Sequence, residues 1–343
     1  MPEGYDALPP VVLNHLLSLT TDNGLYEHAL GRVPRPEHGY CTDDVARALA
    51  FVVRSDEQTG RLARATEVYL RFLERAVMPS GDVHNRMTVA GRWSDDASTD
   101  DWWGRALAGL GAAARRATVP AVRSRAFTAF LIAAKRRSSD VRASAFAALG
   151  AADVLVVHPE CDIARHLLAS CLARMPRGRG ADWPWPEASL RYANGALCHA
   201  LIVGGKALGS ESTLQEGLDL LESLLHIETA PQGYLSLTGT NGRGPEDRGP
   251  LFDQQPIEAS NLSSACLDAL RITGDPDWRL GTEQAWRWFV GANDAGTAMY
   301  DPEDGAGYDG LEVDGRNENC GAESTLAALS TLQDAHDLLD LPR

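Results

Sequence analysis

The sequence lacks the short patterns that mark metal and nucleotide sites. No two of its six cysteines form a Cys-x-x-Cys pair, and no two of its nine histidines have the four-residue spacing of a zinc-binding helix. It also lacks a glycine-rich loop ending in Lys-Ser or Lys-Thr, which would hold a nucleotide phosphate. We therefore expect no metal site and no cofactor.

Long apolar runs and excess positive charge are also missing. No stretch approaches about 18 uninterrupted apolar residues, and residues 1–6 have neither the basic start nor the apolar run of a signal peptide. Thirty-two Lys and Arg against 47 Asp and Glu give a net charge of −15, which repels nucleic acid and anionic membranes. We expect a cytoplasmic protein that binds neither.

The even number of cysteines does not indicate disulfides. A chain of 343 residues with 44% hydrophobic residues can bury a large core without covalent staples, and four of the six cysteines fall in apolar helical patterns. Buried reduced thiols are the better interpretation. No linker or shift in composition divides the chain, so we predict a single domain over residues 1–343. The sequence gives no indication of oligomeric state.

Helical periodicity dominates the chain, and strand-like alternation is scarce apart from a small hairpin predicted near Tyr234. Apolar spacing, prolines at helix starts and glycines at helix ends predict about twelve helices. Their predicted ranges are 10–20, 42–55, 60–77, 101–117, 120–136, 138–151, 160–174, 189–208, 212–227, 256–273, 276–290 and 321–338.

These helices alternate between two compositions. The even-numbered helices are small and apolar on most faces, whereas the odd-numbered ones carry more charge, as in residues 61–75. Apolar helices belong inside and amphipathic helices outside, so the alternation predicts an all-α fold, an (α/α)6 barrel of six helical hairpins. A two-layer α-solenoid is the alternative, but no fixed repeat length supports it.

The loops that lead into the inner helices are rich in acids, amides and aromatic rings. In a barrel of this kind these junctions all face one end, so residues far apart in sequence converge there. Five of the six junctions are rich in such groups, and only the third is plain. The junctions are residues 38–44, 98–103, 138–140, 183–187, 252–258 and 319–323.

Rings, carboxylates and amides together are typical of a carbohydrate site, because flat rings stack on sugar faces while carboxylates and amides bind vicinal hydroxyls. The partner expected from this inventory is an oligosaccharide or glycoside. The predicted substrate-binding residues are His38, Tyr40, Arg47, Asp100, Trp102, Trp103, Trp183, Trp185, Tyr192, Asn194, Gln254, Gln255, Tyr308, Asp309 and Glu323.

Glycoside hydrolysis requires two carboxyl groups, one as proton donor and one as base or nucleophile. We predict Glu187 or Glu258 as the acid, Glu187 because two tryptophans flank it. Asp43, Asp44 or Asp101 would be the partner.

Each of these residues also has a structural interpretation. An aspartate in the first turn of a helix is usually a cap or a dipole partner, and Glu323 fits a capping box equally well. Trp286 and Trp288, on an outer helix, are expected to serve packing. His28 and His38 are more often loop-ordering hydrogen-bond partners than bases.

Several longer segments resemble a bacterial domain that commonly follows a glycosyltransferase domain and belongs to the six-hairpin glycosidase-like toroids. The resemblance covers nearly the whole chain and implies an (α/α)6 barrel in a carbohydrate context. Val45 replaces an Asn of the family pattern, and Ala193 replaces an Asp. The matching segments are 22–28 (DNGLYEH), 38–47 (HGYCTDDVAR), 252–259 (FDQQPIEA), 308–311 (YDGL) and 321–326 (GAESTL).

Four functions stay open on the sequence. The first is a glycoside hydrolase acting on an oligosaccharide. The second is a non-catalytic glycan-binding module, which the substitution at Ala193 favours. The third is a sugar epimerase or isomerase using His28, His38 or His199 as base. The fourth is a phosphorylase, for which the candidate phosphate ligands are Arg47, Arg92, Arg105 and Arg243.

Overall fold

The computed structural model describes residues 8–55, 60–178, 180 and 182–341. This part of the chain contains twelve α-helices, as predicted. They are α1 (Asn14–Leu19), α2 (Thr42–Val52), α3 (Gly60–Ala76), α4 (Asp101–Arg116), α5 (Pro120–Ala133), α6 (Val141–Val157), α7 (Asp162–Leu172), α8 (Asn194–Leu208), α9 (Glu211–Glu228), α10 (Pro256–Thr273), α11 (Trp278–Phe289) and α12 (Ala322–Asp340).

Strands are confined to four antiparallel two-residue pairs in the loops. The hairpin predicted near Tyr234 is reduced to one bridge between Thr229 and Leu235. The pairs are β1 (Ala29–Leu30) with β2 (Val33–Pro34), β3 (Tyr40–Cys41) with β4 (Arg86–Met87), β5 (Tyr300–Asp301) with β6 (Ala306–Gly307), and β7 (Leu311–Glu312) with β8 (Gly315–Arg316).

The starts of α6 and α8 differ from the prediction for identifiable reasons. Helix α6 begins at Val141 because the Asp140 carboxylate accepts a hydrogen bond from Ala143 N at 2.7 Å and caps the helix. Helix α8 begins at Asn194, five residues later than predicted, because Ala193 has a left-handed backbone with φ of 52°. That conformation is incompatible with a preceding helical turn.

The six even-numbered helices form a closed inner ring. Each packs against the next, α2 on α4, α4 on α6, and so on to α12, which returns to pack on α2. The odd-numbered helices pack outside this ring, α1 against α12 and the others against their sequence neighbours. The predicted all-α (α/α)6 barrel is confirmed, and the open solenoid is wrong because the ring closes.

Small residues allow the inner helices to approach closely. A Cβ on Gly104 would lie 2.1 Å from Ala143 O, and one on Gly150 would lie 2.1 Å from Leu107 O, so α4 and α6 are in backbone contact. Gly109 meets α2 in the same way. The outer helix α3 instead presents its apolar stripe, including Tyr69, to the core.

The seam between α12 and α2 is held by ion pairs at both of its ends. Arg54 lies 2.8 Å from Asp334 and 3.0 Å from Asp337 at one end, and Arg47 lies 2.5 Å from Glu323 at the other. The closure therefore joins elements from opposite ends of the sequence.

The six cysteines, all within the described residues, are free thiols, as predicted. Within the described part of the chain, no helix combines the length and apolar character needed to cross a membrane.

The backbone contact between α4 and α6 makes a testable prediction for Gly150→Ala. In an open helix this change stabilises by about 1 kcal/mol. Here the added methyl meets the Leu107 carbonyl, so we expect the free energy of unfolding to fall by about 1–3 kcal/mol in a urea titration. Gly244→Ala is the control, since only the Asp247 carboxylate lies near, at 3.6 Å. A more stable Gly150→Ala protein would contradict the packing.

Candidate active site

A cavity of about 450 Å³ opens where the inner helices begin. We call it the mouth cavity. Its residues come from the starts of α2, α4 and α12 and from the loops before α2, α8, α10 and α12, so the junctions converge as the alternating helices predicted. The lining residues are Glu27, His28, Cys41, Asp43, Asp44, Arg47, Asp101, Tyr192, Gln255, Asp309, Gly321, Glu323 and Ser324.

Asp43 and Asp101, which line this cavity, flank the buried guanidinium of Arg105. Arg105 Nε lies 3.1 Å from Asp101 Oδ2 and 3.8 Å from Asp43 Oδ1. The distance between these two carboxylate oxygens is therefore at most the sum of those two distances. The guanidinium packs on the face of the Phe146 ring, with Arg105 Cζ 3.9 Å from the ring centroid. This upper limit on the oxygen separation allows the spacing of paired carboxyl groups in retaining glycosidases, about 5–5.5 Å.

Several buried polar atoms around this pair have no hydrogen-bond partner among the described residues. They are Asp43 Oδ1, Asp101 Oδ1, Arg47 Nε and Arg105 Nη2. Buried polar atoms in proteins are nearly always satisfied, so unpaired donors and acceptors at a cavity wall mark a place for ligand or water. Here both acceptors and donors are free, which suits hydroxyl groups because a hydroxyl both donates and accepts.

Burial raises the pKa of both members of the Asp43–Asp44 pair. For Asp43, burial outweighs the opposing charges of Arg47 and Arg105. For Asp44 the pKa rises to about 7, again from burial, although Arg47 Nη1 lies 2.6 Å from Asp44 Oδ1. Asp44 Oδ2 accepts a hydrogen bond from the Cys41 thiol at 3.1 Å. Asp44 is thus fully engaged, whereas Asp43 keeps a free oxygen.

Two further predicted residues, Glu323 and Asp309, complete this wall. Glu323 forms an ion pair with Arg47. Burial by itself would lower the pKa of Arg47, but the negative charges of Glu323 and Asp44 raise it above its ordinary value. Asp309 accepts hydrogen bonds from Gly321 N at 2.6 Å and from the Ser324 hydroxyl, so it fixes the start of α12.

Two side lobes join the mouth cavity at Tyr192, which is 37% exposed and lines all three spaces. Its hydroxyl donates to Asp101 Oδ2 at 3.1 Å. One lobe, of about 410 Å³, is lined by Gln255, Glu258, Arg191 and residues 238–242. The other, also of about 410 Å³, is lined by Ser139, Asp140, Val141, Arg142, Glu187 and Arg191. The cleft is therefore three-lobed.

The third junction, whose composition is plain, nevertheless contributes to this second lobe through Ser139, Asp140 and Arg142. The short polar side chains of this junction carried too little signal, and Arg142 lies one residue inside its helix.

The environment of Glu187 differs from the apolar one expected. Arg142 binds it through two hydrogen bonds of 2.5 and 2.7 Å, and its Oε2 also accepts from Trp185 Nε1 at 3.4 Å. Such bidentate pairing favours the ionised carboxylate. Trp183 donates to the Glu187 carbonyl at 2.8 Å. Both tryptophans hold the loop, and neither lines the three lobes.

Glu258 is buried and accepts hydrogen bonds from Ala193 N at 2.6 Å and Asn194 N at 3.2 Å. Burial raises its pKa to about 8, with a further contribution from the charge of Glu228. Glu258 therefore anchors the start of α8 and holds Ala193 in its left-handed conformation. Val45, the other departure from the family pattern, is buried in the core.

Most of the predicted stacking rings are packed inside the protein. Trp103 is fully buried and donates to Ala133 O at 3.1 Å, and Trp102 donates to Val83 O at 2.8 Å. Tyr40 stacks on Tyr26 with ring centroids 5.0 Å apart. A large ring stabilises most when buried, so sequence alone cannot distinguish a packing ring from a binding one. Among the rings predicted to stack on sugars, Tyr192 is the one that lines the cleft in the part of the chain that the structure describes.

Other predicted binding residues also lie away from the lobes. Tyr308 is sandwiched near Arg32 and Arg316, whose Cζ atoms lie 4.9 and 3.5 Å from its ring. Asp100 is exposed and accepts from the Ser98 hydroxyl at 2.6 Å. His38 contacts His28 edge to face at 4.9 Å without lining the cavity. Gln254 and Asn194 are fully buried. Gln254 forms hydrogen bonds with Asp294 and Trp288, and Asn194 forms them with Arg191 and Arg142.

Trp286 and Trp288 are buried, as their expected packing role requires. The sequence gave no role to Glu27, and it considered Arg105 only as a phosphate ligand. The spacing of Arg105, four residues after Asp101 on one helix, was the signal that could have identified it.

One group in the mouth has metal-ligand character. Ligand atoms of Glu27, Cys41 and Asp44 lie within 4.8 Å of one another. Arg86 and Arg47 already form ion pairs with the two carboxylates, so a cation would have to compete with both guanidinium groups. The chemistry of this set does not favour a metal.

No protein-family model and no curated protein sequence matches the chain. Solved structures match it over almost its full length. A sugar epimerase from a ruminal bacterium is 12% identical, with 96% of this chain and 97% of that one covered and a TM-score of 0.71. A D-mannose isomerase is 11% identical, with coverage of 96% and 94% and a TM-score of 0.70. The GH76 α-mannanase of Bacteroides thetaiotaomicron is 11% identical, with coverage of 96% and 95% and a TM-score of 0.64. These likenesses show the (α/α)6 toroid fold.

The environment of Asp44 predicts an unusual titration. In a ¹³C NMR titration of the carboxyl carbons we expect Asp44 to titrate at about pH 7. The exposed Asp22, whose pKa is lowered by its hydrogen bond to Arg64, should titrate below the ordinary carboxyl value and is the internal control. The folded protein binds the Asp44 proton more tightly than the unfolded chain, so this group lowers stability as pH rises from about 4 to about 7. An Asp44 midpoint near 4 would contradict the assigned burial.

Proposed function

We propose that the protein is a glycoside hydrolase that acts on an oligosaccharide in the three-lobed cleft. The observation that carries the proposal is the pair of carboxyl groups of Asp43 and Asp101, each with an unpartnered oxygen, on either side of Arg105. The sugar epimerase and α-mannanase of similar fold support a carbohydrate ligand. We also propose that residues 1–343 act as one domain, because one apolar cluster joins all six helix pairs.

In this mechanism Asp43 is the general acid. Its raised pKa keeps the proton that a leaving glycosidic oxygen needs, and its free Oδ1 faces the cavity. Asp101 is the base or nucleophile, because hydrogen bonds from Arg105 Nε and the Tyr192 hydroxyl stabilise a carboxylate there. The two environments differ as the two roles in glycoside hydrolysis require.

This assignment moves the acid role away from Glu187 and Glu258. Both oxygens of Glu187 are held by Arg142, and both oxygens of Glu258 accept backbone hydrogen bonds, so neither carboxyl group has an unpartnered oxygen for a substrate. Asp44 shapes the field of the mouth through its ion pair with Arg47. Tyr192 offers its ring to a sugar face, and Gln255 lies where the mouth cavity meets the Glu258 lobe.

The alternatives have weaker support. An epimerase or isomerase would need a histidine base in the cleft, and in the described chain His28 is the histidine that lines the mouth cavity. His199 lies at the other end of the barrel, 2.9 Å from Asp268. For a phosphorylase, the mouth arginines Arg47 and Arg105 are already paired with carboxylates. A glycan-binding module is the outcome if sugars bind without turnover. The association with a glycosyltransferase stays a prediction.

The acid and base roles predict a large loss of activity in Asp43→Asn and Asp101→Asn. The assay screens a panel of oligosaccharides for release of reducing ends by the wild-type protein. With a substrate so identified, each variant should lose about 10²–10⁴-fold in kcat. The exposed Asp96→Asn is the control and should retain wild-type activity. The kcat of wild type should also fall at high pH as Asp43 loses its proton, because its pKa is raised.

Other outcomes separate the remaining functions. Turnover only with inorganic phosphate would establish a phosphorylase. Deuterium incorporation from solvent at a sugar carbon would establish an epimerase or isomerase. Sugar binding by both wild type and Asp101→Asn without turnover across the panel would overturn the hydrolase proposal in favour of a binding module.

A further inference from the structure

A second cavity, of about 390 Å³, lies at the opposite end of the barrel, where the inner helices end. We call it the basal cavity. Its lining has five Arg or Lys side chains and three Asp side chains, a positive balance in a protein whose net charge is −15. The basic residues are Arg54, Arg115, Arg116, Lys206 and Arg271.

Three of these five cations are paired with the three acids. Arg115 lies 2.6 Å from Asp153, Arg54 lies 2.8 Å from Asp334, and Arg271 lies 3.2 Å from Asp268. Arg116 and Lys206 form no ion pair or hydrogen bond with the part of the chain that the structure describes. Two cations whose side chains have no partner among the described residues therefore line one cavity, the exposed Lys206 and the partly buried Arg116.

Arg116 lines the basal cavity. Its charge interacts with Asp153 on α6, Asp268 on α10 and Arg54 at the end of α2, which are three different inner helices. Burial lowers the pKa of Arg116, and none of those acids is within ion-pair distance to compensate. A charge withdrawn from water without a partner is costly, so the site is incomplete as it stands.

Helix-end stabilisation does not account for Arg116. A cation in the last turn of a helix interacts favourably with the helix dipole. At the end of α4, however, Arg123 already donates to the Ala117 carbonyl at 2.8 Å, and Arg115 in the same turn is engaged with Asp153. The terminal carbonyl is satisfied without Arg116.

The rest of the basal cavity is mostly apolar. Leu149, Val156, Val203, Leu267 and Ile272, from α6, α8 and α10, form its walls. Besides the Arg, Lys and Asp side chains, its polar groups are Ser264, which donates to Asp334 at 2.8 Å, and His199, which lies 2.9 Å from Asp268. A ligand with many hydroxyl groups would find few partners there, whereas an apolar group would contact these walls.

We propose that the basal cavity binds a small phosphate monoester that carries an apolar group. A phosphate monoester has a charge of about −1.5 to −2 at neutral pH, which matches the two unpaired cations. Arg116 contributes a planar fork of donors and Lys206 a point charge, and both are recurrent phosphate ligands. The apolar group lies against the aliphatic walls.

The test measures binding of octyl phosphate to the full chain by isothermal titration calorimetry. We expect one site per chain, and at least tenfold weaker binding in the double variant Arg116→Gln, Lys206→Gln. The matched control is Arg61→Gln, Lys135→Gln, which removes the same charges from exposed positions outside the basal cavity and should bind as wild type does. Removing the unpartnered Arg116 charge should not lower the melting temperature, so lost binding is separable from unfolding.

Three further probes decide which part of the ligand matters. Inorganic phosphate and octanol should each bind at least tenfold more weakly than octyl phosphate, since each has half of the recognised chemistry. Glucose 1-phosphate binding more tightly than octyl phosphate would overturn the apolar part of the proposal. Absence of octyl phosphate binding, or equal binding by the double variant and its control, would overturn the site itself. Asp101→Asn should leave this binding unchanged, because the two cavities lie at opposite ends.

Discussion

Close approach of the six inner helices is the constraint on which the structure depends. Helices with bulky inner faces could not form so narrow a ring, and here glycine and alanine bring backbones into contact, as Gly104 and Gly150 do between α4 and α6. The ring is completed where α12 meets α2, with Arg54 and Arg47 at the two ends of that seam. Because the inner helices run in one direction, their starts share the mouth cavity and their ends share the basal cavity.

That common direction also separates the charges. Carboxylates gather at the helix starts and arginines at the helix ends, an arrangement that complements the helix dipoles. In the mouth, however, burial acts against ionisation, so Asp43 and Asp44 have raised pKa values although arginines lie nearby. The same barrel thus creates a cleft rich in carboxyl groups and, at the far end, a cavity in which basic side chains outnumber acidic ones.

The sequence predicted the fold well because its signals were repeated and local. Apolar periodicity, prolines and glycines recur at each helix, so twelve helices and their alternation could be predicted without knowledge of contacts. Boundaries failed where a single contact decided them. Helix α8 starts at Asn194 because Glu258, 64 residues away, holds the Ala193 and Asn194 amides. No local pattern records such a contact.

The candidate site was predictable only in part, for the same reason. The sequence by itself determined the helix alternation, the convergence of the junctions and the presence of Asp43, Asp44, Asp101, Tyr192 and Gln255 near one mouth. Only the tertiary structure decided which rings pack and which face the cleft, that Arg142 neutralises Glu187, and that Arg105 joins Asp43 to Asp101. Residue type and spacing fix which end of a helix a group occupies, but its partners, and therefore its charge state and chemistry, depend on side chains brought close by the closed ring.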